Sequence, residues 1–81
     1  MKAFDLDFKV RIKNVYERAK VVRHLRKLGL FYPDDGFDSI SGILVGNAYI
    51  GEVSSECAFT DSPKDEISVD EVLKIQVDDE V

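Results

Sequence analysis

From Phe4 to Lys13 apolar and charged residues alternate without a break: Phe4, Leu6, Phe8, Val10 and Ile12 against Asp5, Asp7, Lys9, Arg11 and Lys13. A period of two fits only an extended chain, in which successive side chains point to opposite faces. The pattern therefore predicts a strand over residues 4–12 with one buried face and one wet, charged face that carries Lys9 and Arg11.

A change of period follows at once. Asn14 can accept hydrogen bonds from the free N–H groups of a first helical turn, and Gly29 can end a helix in a left-handed cap. Between them, Val15, Ala19, Val21, Val22, Leu25 and Leu28 fall within half a turn of a 100° wheel, and Tyr16, Glu17, Lys20, Arg23, His24 and Lys27 occupy the other half. The spacing predicts a surface helix over residues 15–28 that covers a sheet. Arg18 lies inside the apolar arc and Arg26 at its edge. Each must either snorkel its head into water or find a carboxylate.

Phe31-Tyr32-Pro33-Asp34-Asp35-Gly36 reads as a turn, with loop to about Ser41. Ile43-Leu44-Val45 and Ala48-Tyr49-Ile50 flank Gly46-Asn47, a pair suited to the positive φ of a tight β-hairpin. Residues 56–60 suggest a further short strand with Cys57 and Phe59 on one side, followed by a loop over 61–65. Ser68-Val69-Asp70-Glu71 matches a capping box at the start of a short helix that runs to about Lys74. Ile75 and Val77 leave open a brief terminal strand. The sum is a single α+β domain over residues 1–77, in the order β-α-β-β(-β)-α, with a helix packed on a mainly antiparallel sheet and an acidic tail at 78–81. At 81 residues the chain is long enough for one core and too short for two.

Charge divides as sharply as periodicity does. Residues 1–29 carry nine Lys and Arg against three carboxylates, a net +6, whereas residues 30–81 carry two Lys against thirteen Asp and Glu, a net −11. Such asymmetry speaks of partners more than of fold. On the helix, Lys20, Arg23 and Lys27 form a basic ridge at spacings of three and four, beside Tyr16 and His24. Clustered cations of this kind suit phosphate. The acidic residues Asp61, Asp65, Glu66, Asp70, Glu71 and Asp78-Asp79-Glu80 offer a second surface, fit for a basic patch on a protein partner. The alternative is mutual neutralisation of the two halves within the fold. If the helix covers one side of the sheet, its cations and those of the strand point in opposite directions, so a single nucleic-acid groove is disfavoured.

Catalytic chemistry finds little support. Cys57 and His24 are the only thiol and imidazole, and a nucleophile would need them within hydrogen-bond reach. Cys57 reads instead as a small buried residue and His24 as a solvated one. Asp34, Asp35 and Asp38 surround Gly36, but their spacing departs from a calcium loop and no bidentate Glu closes it. No glycine-rich phosphate loop precedes a helix, so neither enzyme nor cofactor nor metal is expected. The lone cysteine excludes an internal disulfide and points to a reducing compartment. Carboxylates interrupt the N-terminal apolar residues, which argues against a signal peptide, and no run approaches the roughly 20 apolar residues of a membrane span. A cytoplasmic location is expected.

Three segments together carry a resemblance: Phe8-Lys9-Val10-Arg11-Ile12, then His24-Leu25-Arg26-Lys27-Leu28-Gly29, then Phe59 with Glu66-Ile67-Ser68-Val69-Asp70-Glu71-Val72-Leu73. In this order, around a hairpin, they resemble small early or accessory proteins of large tailed bacteriophages. Those proteins often carry Trp after the helix glycine, where this chain has Leu30-Phe31-Tyr32. The resemblance implies a non-enzymatic host-takeover or anti-defence role, including toxin neutralisation, exerted by binding a host protein and inhibiting or redirecting it in the host cytoplasm. An RNA- or DNA-binding module using the basic strand and helix is the alternative. A homodimer joining basic to acidic faces, or pairing exposed sheet edges, is a further expectation.

Overall fold

In the computed structural model, residues 3–32 and 40–76 are described. A 3₁₀ turn at Ala3–Asp5 precedes β1 (Phe8–Arg11), α1 (Val15–Lys27), β2 (Gly42–Gly46), β3 (Tyr49–Val53), α2 (Glu56–Asp61), β4 (Glu66–Ile67) and α3 (Val69–Lys74). The architecture is the expected α+β one. A four-stranded sheet runs in the order β3-β2-β1-β4; β1 and β3 lie antiparallel to β2, and β4 runs parallel to β1.

The alternating segment yields a shorter strand than its pattern suggests. Only residues 8–11 find ladder partners on β2, and Phe4 is 64 % exposed. Leu6 and Ile12 nevertheless flank the strand as buried residues. One sheet face presents Phe8, Val10, Ile43, Val45 and Ile50, which close a core with Val21, Val22 and Leu25 of α1 and Val72 of α3.

Helix α1 keeps its expected ends. Asn14 accepts from Glu17 N–H at 2.9 Å. Gly29, at φ +101°, donates to the Arg26 carbonyl, and Leu30 donates to the Leu25 carbonyl, which together make a Schellman cap. The buried stripe is narrower than the wheel suggests, because Val15 and Ala19 are exposed and the stripe runs through Arg18, Val21, Val22 and Leu25. Arg18 finds the carboxylate it requires. Its Nε and Nη2 meet Glu52 Oε2 and Oε1 at 2.8 and 2.9 Å, while Tyr32 Oη donates to Glu52 at 2.8 Å.

The hairpin forms one residue later than expected. Asn47 and Ala48 take φ of +53° and +59°, so Gly46 pairs with Tyr49 and Val45 with Ile50. This register sets Glu52 opposite Ile43, on the α1 side, within reach of Arg18. Gly46 lies outside the turn, in the last position of β2, with the Lys64 ammonium close by. Phe31 adds a one-residue parallel bridge to the outer edge of β3, donating to the Ala48 carbonyl and accepting from Ile50 N–H, both at 2.8 Å.

The second sheet face departs furthest from expectation, for it is not simply wet. Residues 56–60 form helix α2 instead of a strand, and the optional strand of the expected order is supplied by Glu66–Ile67. Ser55 caps α2 by accepting from Ala58 N–H at 3.2 Å. Two residues apart on a helix are about 200° apart, so Phe59 is fully buried while Cys57 is exposed. Phe59 lies over Gly42, with the Lys9 ammonium 4.9 Å and the Arg11 guanidinium 4.7 Å from its ring centroid. Full burial of a Phe side chain contributes roughly 1.5–3 kcal/mol. Lys9 is only 7 % exposed, and Arg11 pairs with Glu56 and Glu66.

The capping box of α3 is present: Ser68 Oγ accepts from Glu71 N–H at 3.2 Å, and Ser68 N–H donates to Glu71 Oε1 at 3.0 Å. Ile75 is the C-cap of that helix and not the start of a strand. The rest of the proposed terminal strand, the acidic tail, and the turn with Asp34, Asp35 and Asp38 lie outside the described residues.

Candidate functional site

Helix α1 turns one side to the core and the other outward. Lys20, Arg23, Arg26 and Lys27 are exposed on the outward side, at spacings of three and four that bring side chains together. Three other cations are engaged by carboxylates: Arg11 with Glu56 and Glu66, Arg18 with Glu52, and Lys64 with Asp7 at 2.6 Å. Lys9 is engaged by backbone carbonyls. No ion pair ties Lys20, Arg23, Arg26 or Lys27 to a carboxylate among the described residues. Mutual neutralisation therefore accounts for Arg11, Arg18 and Lys64, and not for the outward side of α1.

Two grooves flank this cationic row. One, of about 510 Å³, runs between α1 and α3 and gathers Tyr16, Lys20, Arg23, His24 and Lys27 along one wall, with Ala19 and Leu73 contributing apolar surface. All five α1 residues singled out from the sequence meet here. The other, of about 650 Å³, lies on the opposite flank of α1, where Arg18, Arg23, Arg26 and Tyr32 surround Val15 and Val22.

His24 is half-buried and not a freely solvated residue. Its Nε2 lies 2.9 Å from the Ile75 carbonyl oxygen. A carbonyl can only accept, so Nε2 is the donor in this bond. The bond also ties the end of α3 to the last turn of α1, beside the first groove. Beneath the second groove, the Arg18–Glu52–Tyr32 cluster is the main polar anchor; the Glu52 side chain is only 4 % exposed. Burial, and then the hydrogen bond to Glu52, push the Tyr32 phenol above its ordinary pKa.

The acidic candidates do not converge. Asp61 ends α2 on one side of the sheet, Asp65 precedes β4, and Asp70 opens α3 on the other side. Glu71 is taken up by the capping box and Glu66 faces Arg11. Asp70 does share a shallow cleft of mixed charge with Arg11, Lys13 and Lys20.

Catalytic assembly gains nothing from the geometry. Cys57 is exposed on α2 and His24 lies on α1, helices that cover opposite faces of the sheet. Among the described residues no group of three His, Cys, Asp or Glu side chains could hold a metal ion. No helix among the described residues is long and apolar enough to cross a membrane.

Sequence reasoning missed Ala19 and Leu73 as site residues. Ala19 falls inside the apolar arc yet lies beyond the contact with the sheet. Leu73 follows the fully buried Val72, and a 100° step on α3 carries it away from the core and toward α1. That step was available from the capping box and the helix it starts. Comparison of the chain with protein-family models, with curated proteins and with solved structures returned no match.

Proposed function

We propose that this chain is a non-catalytic binding protein whose outward α1 side docks on an acidic surface of a partner protein. The observation that carries the reading is the row Lys20, Arg23, Arg26 and Lys27, which holds no ion pair among the described residues in a protein of net charge −5. Like charges gathered on one helix repel one another, and an anionic partner relieves that repulsion while steering association. With the bacteriophage resemblance, the partner is a host protein, met in the host cytoplasm and inhibited or redirected there.

Nucleic acid fits the same cations less well. Of the cations on the basic strand, Lys9 is occupied by carbonyl oxygens and Arg11 by Glu56 and Glu66. Tyr16 alone offers an exposed ring for stacking on the outward side of α1.

Capture from bacterial lysate with the wild-type chain and with Lys20→Glu/Arg23→Glu/Lys27→Glu, read by mass spectrometry, tests the proposal. The wild type is expected to enrich a protein that the reversed variant does not. Identical captures, or enrichment that nuclease treatment abolishes, overturn it.

A further inference from the structure

The groove between α1 and α3 has a composition that charge docking alone does not require. Its cations, Lys20, Arg23 and Lys27, stand beside the exposed Tyr16 ring, the small exposed Ala19 and the half-buried Leu73. Leu73 is half-buried and lines the groove, so part of its apolar surface faces the space a ligand would fill. From Tyr16 to Lys27 is eleven residues, or roughly 16 Å of helix at 1.5 Å per residue. That is about three turns.

We infer that this groove receives one amphipathic helix of the partner protein, about three turns long, with apolar residues directed at Ala19 and Leu73 and carboxylates flanking them. The inference rests on the protein-binding reading above and names the element recognised. Charge complementarity selects the occupant: a helix with an apolar stripe and acidic flanks matches a groove lined by Ala19 and Leu73 together with three cations, the helix-in-groove mode of recognition. Ala19 matters because a small side chain lets a second helix approach closely. A proline-rich peptide would need a ladder of aromatic rings and meets only Tyr16, and a nucleic acid has no use for Leu73. His24 contributes by position, since its bond to the Ile75 carbonyl keeps α3 alongside α1.

Fluorescence anisotropy with labelled 14-residue peptides tests this. One peptide carries Leu at helical spacing between Glu flanks, and the second is its scrambled isomer of identical composition and charge. The amphipathic peptide is expected to bind at least about tenfold tighter than the isomer, and Ala19→Gln/Leu73→Gln is expected to remove that preference without altering net charge. Both positions lie outside the core, so a melting temperature within a few degrees of wild type shows that the variant is folded. Equal binding of the two peptides overturns the inference, as does a preference that survives the double substitution. A dimer in sedimentation that the double substitution disperses would assign the groove to a second copy and equally overturn it. The two proposals fail separately: if the charge-reversed variant loses its captured partner while Ala19→Gln/Leu73→Gln retains it, protein binding stands and the helix-in-groove inference falls.

Discussion

Lys9 Nζ donates to the carbonyl oxygen of Phe59 at 2.8 Å while lying 4.9 Å from the centroid of the same residue's ring. A second bond, to the Ser62 carbonyl, measures 3.0 Å. These carbonyls belong to the end of α2, where the helix dipole is negative and the backbone supplies few N–H partners. A strand lysine thus completes a helix on the covered face of its own sheet. Lys9→Met keeps the stem and removes the donor, leaving the Ser62 carbonyl without its ammonium partner and the Phe59 carbonyl with only the Ser62 N–H at 3.3 Å. The expected cost is about 2 kcal/mol, a fall in Tm of roughly 10 °C for a domain of this size. Thermal denaturation followed by circular dichroism measures it, and a change below about 0.5 kcal/mol would show that water replaces the ammonium freely.

Gly42 and Phe59 are expected to be energetically coupled. A Cβ on Gly42 would overlap the ring atoms Cδ1 and Cε1 of Phe59 and lie 2.9 Å from the Val10 carbonyl oxygen. Gly42→Ala alone should destabilise by about 1–3 kcal/mol through overpacking, and Phe59→Ala alone by about 3–5 kcal/mol through the cavity it leaves. In the double variant the new methyl meets no ring. The costs should therefore sum to more than the measured loss by at least about 1 kcal/mol in a double-mutant cycle, with some cost remaining because the Val10 carbonyl is still close. Strict additivity would mean that the ring moves aside without penalty.

Residues 4–12 and 56–60 mark the boundary of what was legible in the sequence. Alternation identifies which side of β1 is apolar, and that side is the core. It cannot say whether the other side meets water or another element, because a lysine stem lies equally well against Phe59 or along a wet sheet. With α2 unrecognised, Lys9 had no visible reason to be buried. The α2 segment is too short for a periodic signal, and its evidence was local: Ser55 as cap and Glu56 in the first turn. Likewise the five basic and aromatic positions of α1 were readable from one wheel, whereas Ala19 and Leu73 join them only when α3 is set beside α1.

Ala48 offers a position where stability should rise. Asn47 and Ala48 both occupy the left-handed region, as a two-residue hairpin turn of this hand requires. Asn tolerates it; Ala meets its own Cβ there at a cost of about 1–2 kcal/mol. Ala48→Gly relieves that cost and gives back part of it by loosening the unfolded chain. A net gain of about 0.5–1 kcal/mol is expected in urea denaturation. Unchanged or lowered stability would show that Ala48 contributes packing that outweighs its backbone strain.

Tyr32 supplies a pH dependence with a definite sign. Burial and the hydrogen bond to Glu52 favour the neutral phenol, so its pKa in the fold lies above its value in the unfolded chain. The stability this contributes is complete below the ordinary phenol pKa of about 10 and is lost as pH rises through the elevated one, because the unfolded chain releases its proton first. In an absorbance titration at about 295 nm, one of the three tyrosines should ionise late, and Tyr32→Phe should remove that late step. A late step that persists in Tyr32→Phe would assign the elevated pKa to another residue.

Arg23 should oppose stability in the free protein. It stands three residues from Lys20 and from Arg26 and four from Lys27, and none of the four has an ion pair among the described residues. Like-charge pairs at these spacings each cost about 0.2–0.5 kcal/mol in helices. Arg23→Gln removes three of them while leaving the cations of the last turn, which the helix dipole favours. The variant should be more stable by about 0.5–1 kcal/mol at low salt, and the difference should shrink toward zero near 1 M salt, where screening reaches about 3 Å. A destabilised Arg23→Gln would mean that the guanidinium is held by packing on the helix. If the gain appears together with loss of the captured partner, the repulsion stored in the free helix is what an acidic ligand relieves, and the groove keeps a charge that its own fold would be steadier without.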